Sequence, residues 1–185
     1  MPARTKRSRS AGFAAWLILA ALISSVSWAH RSGYRLNTTS SLPLGLWRVT
    51  PLLRPPARGE IVSLCPPPIA LFLEAKARFY LGPGACPGGF EPMLKPVAGL
   101  PGDRVEVSER GLSVNGKLLP NSKPLAADPS GRPLIPLAPG SFTVASRQIL
   151  LVSSFNPQSF DGRYFGPLPV SAVRSLAYPV LVIAH

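Results

Sequence analysis

The chain has 185 residues, of which 46% are hydrophobic and 15% charged, and its formal net charge is +12. This length holds one ordinary domain and an anchor, and the hydrophobic share excludes a disordered chain. The basic residues of the body are scattered singly, without interleaved aromatic residues, so the charge does not indicate direct nucleic-acid binding. Proline accounts for 23 residues, which favours strands, turns and extended connections because proline is excluded from helix interiors.

An uncharged apolar segment covers the 18 residues 12–29 and follows a basic tail at residues 1–11. Such a segment just spans the hydrocarbon core of a membrane, and the basic tail predicts a cytoplasmic N-terminus. We therefore predict a single-pass inner-membrane anchor at 12–29 and a periplasmic domain at 30–185. The alternative is a signal sequence cleaved after Ala29, which would release the same domain into the periplasm.

The body shows the turn and alternation patterns of a β protein with one short helix. In chain order, the predicted elements are a strand at 59–64, a helix at 69–80, a hairpin that includes Asn115-Gly116, a surface loop at 126–139, and strands at 141–153 and 175–183. Proline and glycine residues bound the helix, and Asn-Gly between apolar runs is a strong hairpin signal. The predicted fold class is mainly β, an antiparallel sandwich or open barrel.

Two cysteines, Cys65 and Cys86, lie 21 positions apart, and each is followed by proline. A zinc site would need more ligands, and the two histidines, His30 and His185, lie at the ends of the body. In an oxidising compartment we predict a disulfide, worth about 3 kcal/mol by chain entropy, with two buried thiols as the alternative. No metal and no cofactor are predicted.

The reactive residues are few, which narrows the possible chemistry to serine with lysine. Neither histidine is placed to serve a Ser-His-Asp triad. Lys95 stands in the apolar run 93–97 without another charge, and a lysine becomes a base only when burial favours its neutral form. Ser41 lies where a polar run changes to an apolar one. The alternatives are a Lys95 that reaches out to water and a Ser41 that caps a turn.

Three ordered segments resemble the boxes of the type I signal peptidases. Residues 94–105, with Gly-Leu-Pro-Gly-Asp after the lysine, resemble the lysine box; Ser41-Leu42-Pro43 resembles the serine box; and residues 159–169 resemble the C-terminal box. Within this group, Asn-Thr-Thr-x-Ser-Leu-Pro-x-Gly-Leu-Trp from residue 37 is most similar to the TraF-type conjugative-transfer peptidases. The serine box lacks the usual methionine, and residues 153–156 replace the Gly-Asp-Asn of general leader peptidases.

The resemblance implies a signal-peptidase-like fold and a role for each matching residue. These roles are Ser41 as nucleophile, Lys95 as its base, Ser159 as the serine that orients the lysine, Asp161 as a carboxylate needed for activity, Arg163 as the structural partner of Asp161, and Asp103 as a structural partner in its turn. Backbone N–H groups near Ser41 are expected to form the oxyanion hole.

We therefore expect a serine endopeptidase that cleaves a pilin-type precursor for conjugative DNA transfer, with cyclisation of the product as a further outcome. Its expected partners are the peptide precursor, the inner membrane and other proteins of the conjugation apparatus. One alternative is a general type I signal peptidase that removes leader peptides from exported proteins. A second alternative is a catalytically silent exported scaffold of a secretion complex.

Overall fold

The computed structural model of the protein describes residues 7–183. The chain forms two compact units, Met1–Arg35 and Leu36–His185. Most of the predicted cytoplasmic tail and the C-terminal His185 lie outside the described residues.

The first unit is built from helix α1, Arg7–Arg31, which has 25 residues. Its segment Ala11–Arg31 has a mean hydropathy of 1.8 and is long and apolar enough to cross a membrane. The prediction of an apolar N-terminal helix is therefore confirmed, and the helix continues two residues beyond the predicted end at residue 29.

Short strands dominate the rest of the chain, with few helices between them. The strands are β1 (Tyr34–Asn37), β2 (Gly45–Pro51), β3 (Ile61–Leu64), β4 (Pro83–Cys86), β5 (Met93–Gly99), β6 (Arg104–Ser108), β7 (Gly111–Val114), β8 (Lys117–Leu118), β9 (Gly140–Thr143), β10 (Gln148–Leu151), β11 (Leu168–Pro169) and β12 (Val173–Val182). Helix α2 covers Ala70–Ala77, the single turn α3 covers Gly162–Phe165, and a 3₁₀ turn covers Val170–Ala172.

Eleven of these twelve strands form two mainly antiparallel sheets, and β4 belongs to neither. The larger sheet has seven strands in the order β1-β2-β12-β3-β5-β10-β11, and the smaller has four in the order β8-β7-β6-β9. The ten-residue strand β12 pairs antiparallel with β2 on one side and with β3 on the other. The predicted fold class, mainly antiparallel β after an apolar helix, is confirmed.

Local sequence patterns account for the hairpin in the smaller sheet. Strand β6 alternates buried and exposed residues, so Val105 and Val107 enter the core. The predicted turn has φ values of 50° at Asn115 and 78° at Gly116, the left-handed region that this pair tolerates. The strand predicted at 141–153 is wrong as a single element, because the turn at 145–147 passes the chain from β9 in one sheet to β10 in the other.

A hydrophobic core lies against the seven-stranded sheet and receives helix α2. Phe72 and Ala75 of the helix are buried in this core beside Val62, Val97 and other apolar residues of the sheet. Burial of a side chain such as Phe72 contributes about 1.5–3 kcal/mol, which explains why an eight-residue helix is stable here. A disulfide between Cys65 and Cys86 closes the segment that contains the helix.

Candidate active site

Lys95 occupies a core position in the middle of β5. It lies in register with Val62 of β3, and its neighbours on the same face of β5 are Met93 and Val97. Val62, Met93 and Val97 belong to the main hydrophobic core, and only 4% of the Lys95 surface is exposed. The strand alternation therefore directs the lysine into the core instead of toward solvent.

The environment of Lys95 favours its neutral form. Burial lowers the pKa of Lys95 from 10.5 to about 8, with the charge of Asp161 opposing this change and that of Arg163 adding to it. Its Nζ atom donates a 2.7 Å hydrogen bond to Ser159 Oγ, and Ser159 is itself 4% exposed. At neutral pH an appreciable fraction of the amine is therefore unprotonated and can accept a proton.

Ser41 lies in the turn between β1 and β2, and Asn37 organises that turn. The buried Asn37 side-chain amide donates hydrogen bonds to the carbonyl oxygens of Thr39, Leu42 and Pro43. Its oxygen accepts hydrogen bonds from the backbone N–H and the hydroxyl of Thr39. The two N–H hydrogens of the amide are shared among three carbonyl oxygens, so one short polar side chain contacts five groups of the turn. Ser41 Oγ lies 3.5 Å from Thr39 Oγ1.

The chain just after β10 attaches this turn to the sheet that carries Lys95. Ser153 is fully buried, and its hydroxyl donates a 2.5 Å hydrogen bond to the carbonyl oxygen of Ser41. Asn156 donates from its amide to the carbonyl oxygen and the hydroxyl of Ser40. Because Val152 N also donates to Pro96 O, the segment remains paired with β5 next to Lys95.

Asp161 and Arg163 form a fully buried ion pair behind the site. Asp161 accepts hydrogen bonds from the guanidinium of Arg163 at 2.8 Å and from the backbone N–H groups of Arg163 and Ser153. Arg163 further donates to the carbonyl oxygen of Ser159 at 2.9 Å. A Cβ atom at Gly162 would lie 2.7 Å from the carbonyl oxygen of Leu151, so the close approach of this segment to β10 requires glycine.

The structure brings five of the predicted site residues, Ser41, Lys95, Ser159, Asp161 and Arg163, into one region. Lys95 contacts Ser159 directly, Asp161 holds the backbone of Ser153, and Ser153 holds the backbone of Ser41. Within residues 7–183 no hydrogen bond joins Ser41 Oγ to Lys95 Nζ, and none joins Asp161 to Lys95.

The other predicted residues lie away from this network. Asp103 accepts hydrogen bonds from Leu100 N and from the side chains of Arg58 and Asn115 in the turn between β5 and β6. Cys65 and Cys86 form their disulfide around α2.

Sequence reasoning missed the roles of Asn37, Ser153 and Asn156. Asn37 opens the motif that resembles the TraF-type serine box, and that motif was the available signal for it. Ser153 and Asn156 stand where general leader peptidases have Gly-Asp-Asn, and their partners in the turn are 112 and 116 positions away. A distance of that size along the chain hides the contacts from any local pattern.

Comparison with known proteins identifies a family for nearly the whole chain. The family model described as "Signal peptidase, peptidase S26" matches residues 7–181. A conjugal transfer protein TraF of Agrobacterium tumefaciens (strain 15955) is 48% identical over 152 residues, which cover 82% of this chain and 84% of that protein. A plasmid transfer protein TraF of Escherichia coli is 42% identical over 154 residues, which cover 83% and 85%.

More distant similarity extends to leader peptidases. A probable signal peptidase I-2 of Synechocystis is 32% identical over 126 residues, which cover 68% of this chain and 48% of that protein. The crystal structure of a signal peptidase I from Enterococcus faecalis V583 is 22% identical, with a TM-score of 0.37, and covers 66% of this chain and 97% of that one. The family assignment rests on the sequence comparisons.

Proposed function

The chain belongs to the signal peptidase family, peptidase S26, and on that premise we propose that it is a serine endopeptidase with a Ser41–Lys95 dyad. The observation that supports the dyad best is the burial of Lys95. Its amine lies in an apolar core and has a pKa of about 8, so it is suited to act as a general base.

The proposed reaction is acyl transfer in two steps. Lys95 Nζ takes the proton of Ser41 Oγ while the oxygen forms a bond with the carbonyl carbon of the scissile peptide. The resulting ammonium then donates that proton to the leaving amine, and an ester links the substrate to Ser41. Attack by water releases a linear product, whereas attack by the amine of the same peptide would release a ring. Substrate binding has to bring Ser41 Oγ within hydrogen-bond reach of Lys95 Nζ.

The surrounding residues have positioning roles in this proposal. Ser159 holds the lysine amine, and Asn37 and Ser153 fix the turn that carries the nucleophile. Asp161 acts through Ser153 and Arg163, because these two residues supply its hydrogen bonds. The backbone N–H of Ser41 donates no hydrogen bond within the described part of the chain, which leaves it available to stabilise an oxyanion.

The proposed substrate is a pilin-type precursor for conjugative DNA transfer. This proposal is supported by the relatives named as conjugal or plasmid transfer proteins, which match over more than four-fifths of their length. Helix α1 would tether the chain to the inner membrane with its N-terminus in the cytoplasm, and the second unit would meet the exported precursor in the periplasm. Cleavage of leader peptides from many exported proteins is the competing function.

The test is precursor processing by single variants of the full-length chain. Ser41→Ala and Lys95→Ala should each abolish processing, whereas the matched controls Ser154→Ala and Lys117→Ala, at exposed positions, should retain it. Processing that survives either dyad substitution would disprove the mechanism. Mass spectrometry of the mature precursor separates the two products, because a ring is one water lighter than the linear chain.

Deletion in cells separates the two substrate classes. Loss of conjugation with normal growth supports a dedicated precursor peptidase. Loss of viability instead indicates a general signal peptidase. Precursor processing that persists in the deletion strain indicates that the chain is a scaffold.

A further inference from the structure

A cavity of about 210 Å³ lies beside the proposed site. Its wall includes Ser40, which immediately precedes Ser41, and Gln158, which immediately precedes the serine that binds Lys95. Residues adjacent in sequence to Ser41 and to Ser159 therefore line this cavity.

Three aromatic rings form much of the wall. Phe160 stacks on Tyr164 with ring centroids 5.9 Å apart and an interplanar angle of 12°, and it contacts Tyr80 at 5.4 Å. Leu125 and Leu134 complete the apolar lining. For comparison, an engineered cavity of about 150 Å³ with an apolar lining binds benzene. One large apolar side chain would fill the space.

The polar groups of the wall indicate a neutral occupant. Asp128 is buried, and its carboxylate accepts hydrogen bonds from Tyr80 Oη and from the backbone and side chain of Arg132. Burial would raise the pKa of Asp128, but these hydrogen bonds hold it well below the usual value, so the carboxylate is already compensated. Arg132 lies 5.4 Å from the centre of the Tyr80 ring and opposes the entry of a second cation.

The hydroxyl of Tyr164, a residue of the cavity wall, can donate a hydrogen bond to a bound peptide. Its hydroxyl oxygen accepts a 3.0 Å hydrogen bond from Leu125 N. Among the hydrogen bonds of residues 7–183, the hydroxyl proton itself has no acceptor. A peptide carbonyl at the mouth of the cavity is a suitable acceptor.

From these observations we infer that the cavity is a specificity subsite, which binds a bulky apolar side chain of the peptide substrate near the scissile bond. The inference rests on the proposed peptidase function for its substrate, and on the geometry of the cavity for the chemistry of the side chain. The subsite would let the enzyme select a peptide by one side chain, whereas the proposed reaction itself involves only the peptide backbone.

Binding of N-acetyl amino-acid amides to the full-length chain in lipid nanodiscs tests the cavity without catalysis. The phenylalanine and leucine amides should shift the methyl NMR signals of Leu125 and Leu134 saturably. The dissociation constants from these titrations should be on the order of tenfold lower than those of the alanine and lysine amides. Leu134→Trp fills the cavity and should abolish the shifts at Leu125. The matched control is Ile135→Trp, at a neighbouring side chain that is 82% exposed, and it should bind normally. The inference is wrong if the apolar amides do not bind or if Leu134→Trp binds them normally.

Cleavage of a random-sequence peptide mixture tests the role of the cavity in selection. The wild-type chain should enrich a bulky apolar residue at one position beside the cut, and Leu134→Trp should lose that enrichment while peptides with alanine there are cleaved within about twofold of the wild-type rate. An unchanged profile in Leu134→Trp overturns the subsite. If the wild-type chain cleaves no peptide, the proposed peptidase function fails, while the binding of the amides still decides whether the cavity takes an apolar side chain.

Discussion

Methionine in place of Lys95 keeps a long, unbranched side chain in the core but removes the amine. The pKa of Lys95 is lowered from 10.5 to about 8, mainly by burial. Because each pKa unit corresponds to about 1.36 kcal/mol, the charged amine lowers the free energy of unfolding by about 3 kcal/mol at neutral pH. Loss of the hydrogen bond to Ser159 offsets about 1 kcal/mol of the gain. Lys95→Met should therefore be about 2 kcal/mol more stable at pH 7 and catalytically inactive.

The sign of this effect depends on pH. Between pH 8 and 10.5 the unfolded chain binds more protons at this lysine than the folded protein does, so the wild-type chain gains stability as the pH rises. Above about pH 10.5 the lysine is neutral in both states and its cost has disappeared. The methionine variant should then be slightly less stable, because the Ser159 hydroxyl has lost its partner.

Urea denaturation of the full-length chain at pH 7, 9 and 10.5 measures this difference, with the fluorescence of the buried Trp47 as a signal. Lys117→Met, at an exposed position of β8, is the matched control and should change little at any pH. A variant that is less stable than the wild type at pH 7, or a difference that does not vary with pH, would refute the argument that burial holds Lys95 near neutrality.

Three further substitutions test the support of the site. Ser153→Ala removes the hydrogen bond to the Ser41 carbonyl, so kcat should fall on the order of tenfold at similar KM, whereas exposed Ser154→Ala should match the wild type. Asn37→Ala removes the hydrogen bonds that organise the turn of Ser41 and should lower the free energy of unfolding by about 2 kcal/mol or more in urea denaturation. Arg163→Met leaves a buried carboxylate unpaired and should cost about 3–5 kcal/mol in the same assay, and a smaller loss would show that water reaches the site.

Local patterns in the sequence predicted the parts of the fold that depend on near neighbours. The helix predicted at 69–80 appears at Ala70–Ala77, and the Asn115-Gly116 turn has the predicted positive φ angles. Both features depend on residues within a few positions of each other. The split between β9 and β10 was missed although the polar residues Ser146-Arg147-Gln148 interrupt the apolar run, because only the pairing partners place the two strands in different sheets.

The site was predicted in part for a similar reason. The burial of Lys95 follows from its apolar neighbours in sequence, which become its neighbours on β5. The contacts of Ser153 with Ser41 and of Lys95 with Ser159 join residues that are 112 and 64 positions apart. Strand pairing decides such contacts, and no spacing rule within one segment contains it. The family resemblance named Ser159 and Asp161, but it could not show how Ser153 connects the two boxes.

The ion pair beside Lys95 resolves an apparent conflict in the design of the site. A carboxylate near a buried lysine favours the protonated amine, which would remove its capacity to act as a base. Asp161 nevertheless accepts a hydrogen bond from the backbone N–H of Ser153, whose hydroxyl binds the turn of Ser41. Arg163 binds both carboxylate oxygens, and its positive charge lowers the pKa of Lys95 where that of Asp161 raises it. The pair therefore provides a hydrogen-bond acceptor whose charge is opposed at the lysine by that of Arg163, and burial remains the largest influence on the pKa of Lys95.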